Sequence, residues 1–181
     1  MPVATEVDLI KKFLAGDDSA FNKIAAEYQK RIYWHARKML GNHLDADEVT
    51  QEVLIVIYNK LHTFNFQSSL FTWIYRITST RCLNFIKKKN VKRFMFLDNP
   101  AVKEMESTGD IVQDIEDREK LDKLNFVLQK LPAKQREVFI MRQLDQLSYE
   151  EIAEIKGKSV GALKANYFHA LKKVTEMMND E

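Results

Sequence analysis

Residues 148–174 read SYEEIAEIKGKSVGALKANYFHALKKV, with a helical signal on either side of a glycine. Ser148 and Glu151 stand at the Ser-x-x-Glu spacing of a capping box, in which hydroxyl and carboxylate each satisfy a backbone amide left open where a helix starts. Ile152 and Ile155 give that helix an apolar face, and Gly157 breaks it. Ser159 can cap a longer helix with Val160, Leu163, Tyr167, Ala170, Leu171 and Val174 inside. A short capped helix, a glycine turn and a longer helix make the helix-turn-helix pattern, and the small Ala153 lets the two helices approach. Gly161, Ala162, Ala165, Asn166, His169 and Lys173 then point outward. Asn can bond adenine edges, Lys phosphate or guanine, and small residues let a helix sink into the major groove. An ordinary helical hairpin with a solvated face fits the same pattern.

Outward from this segment the chain reads as all-α, because apolar residues recur every three or four positions and no long run alternates with period two. Upstream, Leu121, Leu124, Leu128 and Leu131 mark a helix stopped by Pro132, which opens another with Val138 and Met141 inward. Residues 121–181 thus form a four-helix domain. Near the N-terminus, Val7, Ile10 and Leu14 form a short stripe. Asp17 or Ser19 caps a longer helix with Phe21, Ile24, Tyr28, Ile32, Ala36 and Met39 or Leu40 on one face, ended by Gly41. A third helix starts among Asp45, Asp47 and Glu48 and carries Val49, Val53, Ile57 and Leu61. A fourth runs from Leu70 to about Lys89, capped by Ser68 or Ser69, so residues 1–93 form an N-terminal helical bundle. Between the bundles, periodicity fails, Pro100 and Gly109 appear and acids accumulate, as in a flexible acidic linker over residues 94–120.

Charge follows the same divisions. Of 28 Lys+Arg and 26 Asp+Glu in 181 residues, residues 1–95 hold 15 and 9, residues 96–120 hold 3 and 8, and residues 121–181 hold 10 and 9. The overall +2 is therefore the sum of +6, −5 and +1. A hydrophobic fraction of 45% can build helical cores, while 30% charged residues and the lack of a long uncharged run exclude a membrane span. Cys82 stands alone and cannot form an internal disulfide, and no basic segment leads into an apolar leader, so a cytoplasmic location is expected. No glycine-rich phosphate loop or nucleophile context occurs, and no His-x-x-x-His or Glu-x-x-His spacing points to a metal. His35 and His43 read as surface residues. The chain is expected to be no enzyme and to need no cofactor.

Two further segments carry chemistry. From Leu70 to Arg93, Phe71, Trp73 and Tyr75 precede Arg76, Arg81, Lys87, Lys88, Lys89, Lys92 and Arg93. Aromatic faces stack on unpaired bases and cations follow phosphates, a combination suited to melting DNA, although Trp73 and Ile77 also read as core. In Asp45–Tyr58, a stripe of Val49, Val53 and Val56 or Ile57 leaves Leu54, Ile55 and Tyr58 beside Glu48, Gln51 and Glu52. That is an apolar patch with a polar rim, read either as a protein-partner surface or as a helix buried on two sides.

The three segments, in this order around an acidic linker, resemble the extracytoplasmic function group of bacterial RNA polymerase sigma factors, in the sigma-70 family, over almost the whole chain. Asp45-Ala46-Asp47-Glu48-Val49-Thr50-Gln51-Glu52-Val53 is similar to the segment that binds the beta-prime clamp of core polymerase. Trp73-Ile74-Tyr75-Arg76-Ile77 resembles the signature opening the helix that reads the minus-ten element. Ser148–Ala153 and Ser159–Lys164 resemble the reader of the minus-thirty-five element.

The resemblance implies clamp contacts by Glu48, Gln51, Glu52, Leu54, Ile55 and Tyr58. It implies minus-ten contacts by Asn65, Phe66, Ser68, Trp73, Arg76, Thr80, Asn84, Lys87, Lys88 and Lys89, with the Asn65–Ser69 loop where the family captures a flipped base. Minus-thirty-five contacts fall to Ser159, Ala162, Lys164, Asn166, His169, Lys172 and Lys173. Its implied partners are core RNA polymerase, through the beta-prime clamp and the beta flap, promoter DNA and an anti-sigma factor. Glu48 stands where the family more often has Asp, Thr80 and Asn84 replace frequent Asn and Asp, and Ala162, Asn166, His169 and Leu171 replace frequent Thr and Arg. The promoter sequence therefore does not carry over. A stand-alone helix-turn-helix regulator is the alternative, and it leaves the first bundle unused.

Overall fold

The computed structural model describes residues 4–95 and 115–179, and among them every element is helical. In chain order these are α1 (Ala4–Leu14), α2 (Asp18–Leu40), α3 (His43–Lys60), a 3-10 turn (Leu61–Thr63), α4 (Leu70–Met95), α5 (Ile115–Lys130), α6 (Ala133–Phe139), a π-helical turn (Ile140–Leu144), α7 (Tyr149–Lys156) and α8 (Val160–Asn179).

The expected caps are present. The Asp17 carboxylate accepts from the Ser19 amide at 3.0 Å at the start of α2. Gly41 ends α2 in the left-handed region, at φ 83°, and its N–H returns to the Arg37 carbonyl. Ser148 and Glu151 form the reciprocal box, with the Glu151 amide 3.1 Å from Ser148 Oγ and the Ser148 amide 2.7 Å from Glu151 Oε2. Boundaries shift elsewhere. Asn42 caps α3 three residues ahead of Asp45, accepting from the Asp45 amide at 2.9 Å. At the middle of the chain, α4 continues to Met95 and α5 begins at Ile115, inside the stretch whose composition reads as linker. The rest of that linker lies outside the described residues.

In the first bundle, Ile24, Tyr28, Ile32, Ala36, Met39 and Leu40 of α2 meet Val49, Val53 and Ile57 of α3 and Leu70 and Ile74 of α4. Three residues of the expected stripes sit outside: Leu14, at the last position of α1, Leu121 in α5, and Leu171, on the rim of α8. Tyr167 is half-buried, resting on Phe139 and Tyr149.

Among the described residues the two helical bundles also pack on each other. One continuous core joins Val127, Leu128, Leu131, Phe139 and Ile140 to α2–α4, and Tyr75 of α4 packs with Val138, Met141, Leu147, Ile152, Ile155 and Leu163. The expectation of a surface His35 fails for the same reason. It is fully buried, with Nδ1 2.6 Å from Asp145 Oδ2, because the second bundle covers that side of α2.

Candidate functional site

Three exposed helix faces carry the residues singled out by the sequence. The first lies on α3. Asn42 caps the helix and Ala46, Val49, Thr50, Val53 and Ile57 turn inward, so Glu48, Gln51 and Ile55 point away from the core. Ile55 is 59% exposed. Leu44 is 66% exposed and shares this face, a residue the sequence reading missed although its spacing to Glu48, Gln51 and Ile55 is helical. Leu54 differs from the expectation, for it is half-buried against the core, and Glu52 is intermediate. Tyr58 is 42% exposed but anchored: its ring meets Phe13 and Phe21 edge-on at 5.1 and 5.0 Å, and its hydroxyl donates to Asp18 at 3.1 Å. An apolar centre of Leu44 and Ile55 with acidic and amide neighbours suits a protein partner.

The second face joins the loop before α4 to its exposed side. Phe66 adopts φ 60°, a left-handed conformation costly for an aromatic residue, and its ring lies 4.9 Å from Phe64. The Trp73 ring follows 5.6 Å from Phe64, half-buried. Asn65 is exposed with Oδ1 accepting from the Gln67 amide, Ser68 is partly covered, and Ser69 rather than Ser68 caps α4 through the Thr72 amide at 3.0 Å. Along α4, Thr80 is exposed with its hydroxyl on the Arg76 carbonyl, and Asn84, Lys87 and Lys88 are exposed. Lys89 reaches back to Asp45 at 2.7 Å. Arg76 is engaged elsewhere, its guanidinium donating to the Glu154 carbonyl of α7 through Nε at 3.1 Å and Nη2 at 2.7 Å.

The third face is on α8. The Ser159 hydroxyl accepts from the Ala162 amide at the helix start, and Leu163, Ala170 and Val174 fix the inward side. Ala162, Ala165, His169, Lys172 and Lys173 are exposed. Asn166 is half-buried and donates to the Ala162 carbonyl at 3.1 Å. Lys164 lies 5.6 Å over the Tyr149 ring, and Lys172 is 3.9 Å from Glu176. Phe168, 63% exposed and outside the expected stripe, adds an apolar side chain.

Polar groups absent from the sequence reading tie the faces together. Arg136, almost fully buried, donates to the carbonyls of Met39 at 2.6 Å, Gln129 at 2.9 Å and Leu131 at 3.2 Å, and to Gln129 Oε1. Burial lowers its pKa. Asp145 holds both His35 and Lys38, the latter at 2.7 Å. Burial pushes its carboxyl upward, but the bonds and charges of His35 and Lys38 outweigh this and leave the pKa lowered. Lys156 bridges the fully buried Glu137 at 2.5 Å and Ser79 Oγ at 2.6 Å. Their only sequence signal is charge within short apolar helices.

The first bundle matches sigma-70 region 2 over residues 24–91, and the second matches sigma-70 region 4 over residues 121–174. The chain belongs to the sigma-70 family, in its extracytoplasmic function group. It is 28% identical over 178 residues to the ECF RNA polymerase sigma factor SigW of Bacillus subtilis, covering 94% of this chain and 95% of that one. Identity to the ECF RNA polymerase sigma-E factor of Escherichia coli is 29% over 177 residues, covering 92% and 90%. The fold is also that of the sigma factor RpoE of Bartonella quintana, solved with the anti-sigma factor NepR (TM-score 0.70, 21% identity, 89% of this chain and 98% of that one). CnrH, solved with the cytosolic domain of CnrY, matches at TM-score 0.70 and 20% identity, covering 98% and 99%. Among the described residues no helix of this sigma factor is long and apolar enough to cross a membrane.

Proposed function

We propose that this sigma factor binds core RNA polymerase through the exposed face of α3, melts and reads the minus-ten element with the Asn65–Ser69 loop and α4, and holds the minus-thirty-five element with α8. The observation that carries this reading is the coincidence, in one chain, of an unpartnered apolar-acidic helix face with an aromatic loop leading into a basic helix. On α3, Leu44, Glu48, Gln51, Glu52 and Ile55 supply the clamp contact, with Leu54 behind them against the core and the exposed Tyr58 held by Phe13 and Phe21. At the minus-ten element, Phe66 and Trp73 offer stacking surfaces beside Asn65 and Ser68, while Arg76, Thr80, Asn84 and Lys87–Lys89 follow the strand. On α8, Ser159, Ala162, Lys164, Asn166, His169, Lys172 and Lys173 meet the duplex.

Melting requires no chemistry from the factor, because base capture and polymerase contacts offset the ~few kcal/mol lost when a base is unstacked. The chain acts as a non-enzymatic cytoplasmic protein of two functional units, residues 1–93 and 121–181, joined through residues 94–120. The exposed apolar side chains Phe126 and Phe168 give the second unit a surface for the beta flap. The solved neighbours that hold NepR and the cytosolic domain of CnrY support regulation by an anti-sigma factor.

A mobility shift on promoter duplexes separates this reading from the stand-alone regulator. The protein with core polymerase is expected to retard the promoter, and the protein alone is not; sequence-specific retardation without polymerase would overturn the sigma reading. Gln51→Ala with Leu54→Asp is expected to abolish co-purification with polymerase but, Leu54 being half-buried, to lower stability as well. Gln51→Ala with Ile55→Asp is the cleaner variant and is expected to lose polymerase with unchanged helicity. Lys164→Ala with Asn166→Ala should weaken minus-thirty-five recognition and leave polymerase binding intact.

A further inference from the structure

The exposed side of α3 continues past Ile55. Leu44, Glu48, Gln51, Ile55 and Tyr58 follow one another at intervals of four, three, four and three residues, the spacing of a coiled-coil seam, and all five are exposed. At the far end of this seam the Tyr58 ring is wedged between Phe13 of α1 and Phe21 of α2, whose own rings lie 5.6 Å apart, and its hydroxyl donates to Asp18. Leu14 follows Phe13 at the last position of α1, where the stripe of Val7 and Ile10 predicts an inward side chain, yet it is 49% exposed. Gly16, at φ 97°, turns the chain back there, and the Asp17 amide donates to the Lys12 carbonyl.

We infer that Tyr58, Phe13 and Leu14 form a second apolar contact for core polymerase, so that α1 is part of the docking surface, an extension that rests on the reading of α3 as the clamp-binding helix. The occupant is a helix of the polymerase clamp laid along α3. From Leu44 to Tyr58 the seam runs ~21 Å at roughly 1.5 Å per residue, about four turns of such a helix. Its apolar side chains sit at the two ends, Leu44 at one and Ile55, Tyr58 and Leu14 at the other, while the polar Glu48 and Gln51 between them fix the register of a helical partner.

Two further features suit that occupant. Charge is divided along the seam: Asp47 and Glu48 are exposed toward the start of α3, whereas Lys11, one turn before Leu14, and Lys60 are exposed at the other end. A helix with cations opposite Glu48 and an acid opposite Lys11 therefore docks in one direction only. Tyr58 is also held before any partner arrives. Two ring contacts and the bond to Asp18 fix its rotamer, so little side-chain freedom is lost on binding, as befits an aromatic anchor.

Surface plasmon resonance of the full-length protein over immobilised core polymerase tests the contact. Leu14→Gln is expected to weaken binding about tenfold, and Leu14→Met to leave it within about twofold of wild type. Lys11→Glu should slow association at low salt and converge on wild type at high salt, because an exposed charge at the rim steers the encounter and is screened. The unfolding temperature of Leu14→Gln, whose side chain lies half in solvent, should match wild type, which separates a lost contact from a lost fold. Wild-type affinity in Leu14→Gln, while Gln51→Ala with Ile55→Asp loses polymerase, would overturn the contact at α1 and leave α3 in place; wild-type affinity in both would remove α3 as well. Equal weakening by Leu14→Met and Leu14→Gln would also overturn an apolar contact. Light scattering that shows a wild-type dimer dissociated by Leu14→Gln, at unchanged polymerase affinity, would hand the surface to a second copy of the chain.

Discussion

The two halves of the molecule treat buried polar groups in opposite ways. In the first, Thr50 and Thr78 donate to the carbonyls of Ala46 and Ile74 in their own helices, and Thr72 shares a bond with Ser69, so these hydroxyls are satisfied locally. In the second, two charged side chains, Arg136 and Glu137, are buried, and Arg136 takes one of its carbonyl partners from the end of α2. The exceptions in the first half are His35 and Ser79, and both receive their partners from the second. A bundle of long helices with aliphatic stripes closes by itself. A bundle with a seven-residue and an eight-residue helix leans on its neighbour.

The largest expected effect breaks this asymmetry at its centre. Arg136→Ala leaves the Met39, Gln129 and Leu131 carbonyls without their donor and should cost ~3–5 kcal/mol in urea unfolding, with a single transition resolving into two. A wild-type-like transition would mean that the second half does not depend on the first. Gly41→Ala puts a Cβ where φ is 83° and where the Gln129 side chain approaches, so about 1–2 kcal/mol of destabilisation is expected, part of it relieved by Gln129→Ala.

The subtlest effect concerns acid. Because the Asp145 pKa is lowered in the folded protein, its pairing contributes fully above the ordinary carboxylate range and is lost as pH falls through the lower, folded value. Asp145→Asn should therefore be less stable than wild type at neutral pH, and the two should converge only once pH drops below that folded value. Parallel curves across the whole acid limb would remove Asp145 from the account.

Helix ends and stripes were legible in the sequence because their causes are local: Asp17 meets Ser19, Gly41 returns to Arg37, and Ser148 meets Glu151, each within four residues. The three candidate faces followed from the same periodicity, apart from Leu44, a terminal apolar residue without an inward role, and Leu54, whose side of α3 depends on packing. The contact between halves was not legible. Arg136 finds Met39 across 97 residues and Asp145 finds His35 across 110, and no spacing rule links such pairs. A histidine in an amphipathic helix looks the same from the sequence whether it faces water or another bundle.

Run-off transcription by core polymerase on a library of promoters tests the central claim most directly. Adding this protein is expected to yield transcripts from a defined subset of promoters, and Gln51→Ala with Ile55→Asp to yield none. No promoter-specific transcript at any concentration of wild-type protein would contradict it.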